Sequence, residues 1–265
     1  MNAKIRSAVR VAFLSVALAF TSSPASAVIA SCGDIQSLLG GTFSALHTAL
    51  VNALPGTAGL GNQMWATIVN RDGEVCAVAF SGADRQTQWP GSRVITIQKA
   101  YTGNAFSLDG FALSTANLYS AVQPGGSLFG LQESNPVDPA AAYGGFASNF
   151  GTGTGDPAVT HRIGGINVFG GGLALYNRGK QVVGAIGVSG DTSCRDHIIA
   201  WKVRHALVLD FVPAGVSPTG DDNIIFDITG SHGNFQSKSG FGHPQCGFGE
   251  TPIAVALPTT NPISH

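Results

Sequence analysis

The sequence predicts an α/β domain of two or three layers, in which helices pack on an antiparallel sheet. Three observations carry that reading. Met64 to Val69 and Glu74 to Phe80 are β-rich runs joined by the turn former Asn70-Arg71-Asp72-Gly73. Gly172 to Tyr176 and Gln181 to Val188 repeat the arrangement around Asn177-Arg178-Gly179-Lys180. Helical apolar spacing flanks both hairpins, and antiparallel ribbons alternating with helices argue against a doubly wound parallel sheet.

The elements follow in chain order. Lys4, Arg6 and Arg10, an apolar run from Val11 to Phe20 and Ala25-Ser26-Ala27 form an export signal, with cleavage expected after Ala27. Ile35, Leu38, Leu39, Phe43, Leu46, Leu50 and Val51 predict an amphipathic helix over residues 32–53, weakened at Gly40-Gly41 and ended by Pro55-Gly56. After the first hairpin, Val94, Ile95, Thr96 and Ile97 favour a strand, while Ser92 as a cap and the Ile95, Gln98, Lys99, Thr102 face favour a helix. Residues 111–122 read as helical. Residues 123–172, rich in Gly, Pro, Ser and Asn, read as an irregular insert of the kind that binds ligands or builds oligomers. The two hairpins share an Asn-Arg turn and a Ser-Gly exit followed by Asp, through either duplication or convergence on one turn chemistry. Asp191 or Thr192 caps a helix from Ser193 to about Leu209. The tail holds one expected strand, Asn223 to Ile228, and "SGFGHPQCG".

Composition narrows the function. Without the export signal, 14 basic residues become 11 against 15 acidic ones, a net charge of −4 with His neutral, which disfavours nucleic acid. Charged residues are 11% and hydrophobic ones 44%, little polar cover for a lone globule, so a homo-oligomer is expected. No segment is long and apolar enough to span a membrane. The four cysteines contain no CxxC pattern, so disulfides are expected. Three pairings exist; Cys32 with Cys76 and Cys194 with Cys246 is the one expected, and a buried free thiol is the alternative.

The stretch "VVGAIGVSGDTSCRDHIIAW", residues 182–201, raises three readings. Gly187-Val188-Ser189-Gly190-Asp191 misses the G-x-S-x-G nucleophile elbow at its last position. Gly184, Gly187 and Gly190 do not have dinucleotide-loop spacing, and no Walker Lys follows. A packing turn is the leading reading, and an anion seat at the next helix is second. The histidines make no HxxxH or HExxH pattern, so no metal site is expected.

Taken together, "WATIVNRDGEVCAVAFSG", "RVITIQKAYTGNAF" and "GGGLALYNRGKQVVGAIGVSGDTSCRDHIIA" resemble the GlcG/HbpS-like haem-binding family over residues 35–208. The resemblance implies a profilin-like antiparallel sheet of about five strands with packed helices, the helical reading of the Lys99 segment, and an oligomer. The irregular insert and C-terminal tail exceed the family's minimal domain. The division expected is a signal peptide at 1–27, the family domain at 28–209 and an extension at 210–265.

The function implied is a periplasmic or secreted haem-binding protein for sequestration, sensing or weak haem-dependent redox activity. Haem is the expected cofactor, and haem or another small ligand the partner. Lys99, Gly171, Ser189 and Gly190 carry over by their match to family segments. Arg93 is a cation for a propionate, and Tyr101, His161 and His243 are the candidate axial ligands. Room for a flat, apolar cofactor is expected beside Lys99 or at a subunit contact. The alternatives are an enzyme on a small organic acid or aldehyde using Ser189-Gly190-Asp191, and a structural oligomer.

Overall fold

A computed structural model describes residues 30–230 and 235–265; the export signal lies outside them. Both hairpins sit in one sheet. Strands β1 (Trp65–Asn70) and β2 (Val75–Phe80) form the first, and β4 (Gly172–Tyr176) and β5 (Val182–Ser189) the second. With the two-residue strand β3 (Thr152–Gly153), the antiparallel order is β3-β2-β1-β5-β4. The ribbons join through β1 and β5, which pair in register from Trp65 opposite Ser189 to Asn70 opposite Gly184.

Every residue of β1, β2, β4 and β5 is buried, because helices cover both faces. Side chains alternate across a strand. Ala66 and Ile68 of β1, with Leu173 and Leu175 of β4, therefore face a layer of α1 (Cys32–Leu38), α2 (Ser44–Ala53) and α5 (Ser193–Ala206). Trp65 and Val69 face the other way, toward Val94, Ile97 and Ala100 of α3 (Ser92–Ala105). The family segment around Lys99 is thus a helix, and burial of its Val94/Ile97 stripe overrides the β propensity of residues 94–97.

The turn's glycines matter here. A Cβ on Gly187 would collide with Thr96 O and crowd Ala100 N, and one on Gly172 would strike Lys99 O. Glycine at these points lets α3 lie directly on β5 and β4, where Thr96 Oγ1 donates to Gly187 O at 2.6 Å.

Three sequence expectations are corrected. The helix expected over residues 32–53 is two helices, broken where Gly40 and Gly41 take φ of +78° and +90°. Residues 111–122 hold only short 3₁₀ turns at Thr115–Leu118 and Ser120–Val122. Ser114 and Asn117 bond each other's backbone and side chains there, closing the turn. Asn223–Ile228 is not a strand; only Ile228–Thr229 (β6) pairs, with Gln236–Ser237 (β7). Asn223 spends its side chain on His197 and Ala254 O instead.

The insert contains α4 (Pro139–Tyr143) and β3 and is pinned to α3. Beyond residue 210 the chain returns over α5. Ile224, and Ala254 and Leu257 of α6 (Thr251–Thr260), join the core formed by α2 and α5. Both expected disulfides are present, Cys32–Cys76 and Cys194–Cys246. The second ties the C-terminal segment to the first turn of α5. Among the described residues, no helix is long and apolar enough to cross a membrane.

Candidate functional site

Lys99 lies on the α3 face that meets the sheet, and Asp196 in the first turn of α5. Their charges meet at 2.6 Å, with each side chain 2% exposed. The glycine loop before β4 makes this contact feasible. Gly171 has φ of +121°, and a Cβ there would meet Val188 O, Asp196 Cβ and Lys99 Cδ. Burial raises the Asp196 carboxyl to about 6, outweighing the attraction of Lys99.

Asp196 also links this pair to the turn. Its Oδ1 accepts the Asp191 N–H at 3.0 Å. The Asp191 carboxylate in turn accepts from Leu60 N at 2.8 Å, Thr192 N at 2.7 Å, Asn62 N at 3.0 Å and Arg195 Nη1 at 2.7 Å. Burial pulls its pKa upward, but these donors outweigh it and hold the group below the usual carboxylate range. At the start of α5 the Thr192 N–H donates to the Asp191 carboxylate, Cys194 N–H to Cys246 Sγ and Arg195 N–H to Thr192 Oγ1. An external organic acid finds these three donors already used. Ser189 is buried at the end of β5 and, among the described residues, bonds no histidine. The turn is a packing device.

Two histidines complete the cluster. Asn223 Nδ2 donates to Ala254 O at 2.8 Å, so its Oδ1 faces His197 Nε2 at 3.1 Å and must accept. The Ile224 N–H is within reach of both His197 Nε2, at 3.1 Å, and Asn223 Oδ1, at 2.8 Å, so Nε2 finds a partner in either protonation state; Nδ1 is buried without a partner among the described residues. His243, 1% exposed, faces Pro244 O with Nδ1 at 2.7 Å. A carbonyl only accepts, so Nδ1 carries the proton and Nε2 is bare, buried and unpartnered among the described residues. Burial depresses both rings, His197 to about 3 and His243 to about 4. Both are neutral at pH 7. The His243 ring lies 5.2 Å from that of Tyr119, which lies 6.3 Å from Phe169. Ser120 Oγ donates to Gly242 O and His243 N to Ile225 O, seating the segment.

Lys99 and Gly171 thus meet at Asp196, with Ser189 and Gly190 at the adjoining strand end and turn, and His243 in the segment that Cys194–Cys246 ties to the start of α5. The other expected residues go elsewhere. Arg93 pairs with Asp156, donates to Ala142 O and lies 3.8 Å over the Phe150 ring, pinning the insert rather than facing a ligand. Tyr101 packs with Leu118 and Val122 and against the Gly73 turn. His161 is exposed, and its backbone carbonyl accepts from Val75 N. Asp196, His197, Tyr119 and Asn223 were missed. Asp196 had one signal, an acidic residue in the first turn after the Thr192 cap.

The donors of the cluster fit an iron porphyrin. A neutral imidazole whose distal nitrogen is bare while the other donates to a carbonyl is the arrangement of a metal-ligating histidine. The room expected beside Lys99 is corrected: the ion pair, the glycine loop and the His243 segment fill it. Binding a macrocycle here requires the segment to move.

The family model described as "Haem degrading protein HbpS-like" matches residues 44–204. No curated protein matches the chain at a significant level. Among solved structures, Klebsiella pneumoniae protein ORFY is 24% identical, covering 63% of this chain and 89% of that one, with a TM-score of 0.41. The PduOC:heme complex is 23% identical, covering 62% and 89%, with a TM-score of 0.43. A double mutant of Streptomyces reticuli HbpS is 16% identical, covering 75% and 97%, with a TM-score of 0.40.

Proposed function

Because the chain belongs to the HbpS-like haem-degrading protein family, we propose that it is an exported haem-binding protein whose site is the cluster around Asp196. The observation that carries this reading is a neutral imidazole nitrogen, Nε2 of His243, buried without a partner among the described residues in the closed segment, residues 236–250, that covers the start of α5. Haem, when bound, would supply a redox-active iron. The chain's residues orient and enclose it: Pro244 O fixes the His243 ring through Nδ1–H, and Asp196 holds Lys99 and the turn in place.

Export is supported by the N-terminal signal features and by two disulfides, which persist in oxidising compartments. Assembly into a homo-oligomer is supported by apolar side chains standing out of the insert, Phe129 at 66% exposure and Phe146 at 80%.

Titration of the purified chain with hemin tests the reading. A saturable Soret shift complete at one equivalent is expected. The observed association rate should level off as hemin rises, because opening of the cover precedes binding. No saturable shift at equimolar hemin would refute haem binding, and a rate rising linearly throughout would refute the closed site.

A further inference from the structure

We propose that the Cys194–Cys246 bridge is a redox-sensitive latch: a dithiol reductant opens it in the folded chain and loosens residues 236–250 from α5, while Cys32–Cys76 stays closed. This does not rest on the haem reading. Access does not separate the two bridges, because each joins one half-buried cysteine, Cys246 or Cys32, to one buried cysteine, Cys194 or Cys76. The groups around the sulfurs do. Cys246 Sγ accepts the Cys194 N–H at 3.2 Å and faces Ser193 Oγ at 3.6 Å, where the hydroxyl must donate because a bridged sulfur carries no proton. Cys194 Sγ lies 3.6 Å from Pro244 O, an acceptor for its S–H once the bridge is reduced. The opened bridge thus has a partner for each sulfur, one as thiolate and one as thiol. The other bridge meets oxygens that only accept: Cys32 Sγ lies 3.8 Å from Glu74 Oε1, and Cys76 Sγ 3.6 Å from Glu74 O. Among the described residues, no N–H or O–H donates to either of those sulfurs.

Repulsion by a carboxylate does not distinguish the bridges either. A Glu250 oxygen and the Cys194 and Cys246 sulfurs lie within 4.8 Å of one another, as Glu74 lies beside Cys32. The donors decide. In the exchange, a thiolate of the reductant attacks the half-buried Cys246 Sγ, the S–S bond breaks, and its electron pair leaves on Cys194 Sγ, which takes a proton and donates it to Pro244 O. The reductant's second thiolate then attacks its own sulfur in the mixed disulfide, and that electron pair leaves on Cys246 Sγ, held by the Cys194 N–H and the Ser193 hydroxyl. The chain gains two electrons, and the dithiol becomes a disulfide. A leaving thiolate stabilised by donors departs faster, and a stabilised reduced form makes the bridge easier to reduce. Once it is open, residues 236–250 keep only local fastenings. His243 N still donates to Ile225 O and Ser120 Oγ to Gly242 O, and Glu250 still accepts from Cys246 N and Phe248 N within the segment itself. The loosening is therefore confined to this segment.

The test is equilibration of the full chain, without hemin, in buffers of stepped reduced-to-oxidised dithiothreitol ratio, followed by acid quench, alkylation and peptide mass spectrometry. Cys194 and Cys246 should become labelled together, at a ratio about tenfold or more below that needed for Cys32 and Cys76. In the half-reduced chain, Cys246 should alkylate with a midpoint below the pH of about 8.5 of a free cysteine. Hydrogen exchange should then accelerate in residues 236–250 and stay unchanged in the sheet. Ser193→Ala removes one donor at an exposed turn of the helix start and should raise the required ratio by about threefold, leaving Cys32–Cys76 where it was. Reduction of both bridges together, reduction of Cys32–Cys76 first, or opening of Cys194–Cys246 with no change in the exchange of residues 236–250 would overturn the latch. A Ser193→Ala titration that matches the parent, with Cys246 alkylating like a free cysteine, would overturn the donors as its cause.

Discussion

Replacing Cys194 and Cys246 together by serine should destabilise the folded chain by about 4 kcal/mol, the chain-entropy value for a bridge closing a loop of this length. The two residues are 52 apart in sequence. The Cys32–Cys76 bridge, at a separation of 44, should have nearly the same effect on stability by the same argument. The two bridges should nevertheless differ in kind. Cys32–Cys76 ties α1 to the sheet, whereas Cys194–Cys246 holds the cover over Asp196. Urea unfolding should show similar losses for the two double variants. Hydrogen exchange of residues 236–250 should accelerate only without Cys194–Cys246, and hemin association should then be faster and binding weaker. Equal exchange in both variants would mean that the bridge does not latch the cover.

Acidification from pH 7 to pH 4 should lower stability, by a net amount on the order of 3 kcal/mol, at about 1.4 kcal/mol per pKa unit. The sign follows from three buried groups. His197 titrates near 3 and His243 near 4 in the folded chain, against 6.5 for an exposed imidazole. As pH falls below 6.5 the unfolded chain takes up protons that the folded chain refuses, so each ring withdraws stability. Asp196 opposes them. Its folded value of about 6 lies above the 3.8 of an exposed aspartate, so the folded chain takes that proton first and regains stability between 6 and 3.8. Arg204 and Asp221 also act on His197, and Lys99 and Glu250 on His243. Two groups outweigh one. Asp196→Asn should steepen the acid loss and His197→Gln should flatten it, both read by urea midpoints from pH 4 to 8. Stability that is flat or rises on acidification would mean that the imidazoles are not buried neutral.

Much of the fold was legible because it rests on local signals. Asp-Gly and Arg-Gly turns between β-rich runs mark both hairpins, and Thr192 before an apolar stripe marks α5. The two cysteine pairs also emerged as expected. Elements decided by distant contacts were less legible. Residues 94–97 are helical because Val94 and Ile97 bury against the sheet, and α6 was missed because Pro252 and Pro258 disguise a helix that docks on α5. The site divides in the same way. Lys99, Gly171 and the turn came through the resemblance, and His243 through its ability to bind iron. Arg93 is an insert pin because Asp156, 63 residues away, claims it. Asp196, the hub, carried only the signal of an acidic residue in the first turn of α5; its role exists only where α3, the glycine loop and the turn converge. The His243 tautomer is set by Pro244 O next to it in the chain, whereas burial of its bare Nε2 is a tertiary property.

The most direct test of the account is long-range ¹H–¹⁵N correlation of the histidine side chains at pH 7, before and after hemin is added. The account expects His243 with Nδ1 protonated and Nε2 bare in the free chain, and paramagnetic broadening of His243, not His161, when hemin is added. A protonated Nε2 on His243, or broadening confined to His161, would contradict it.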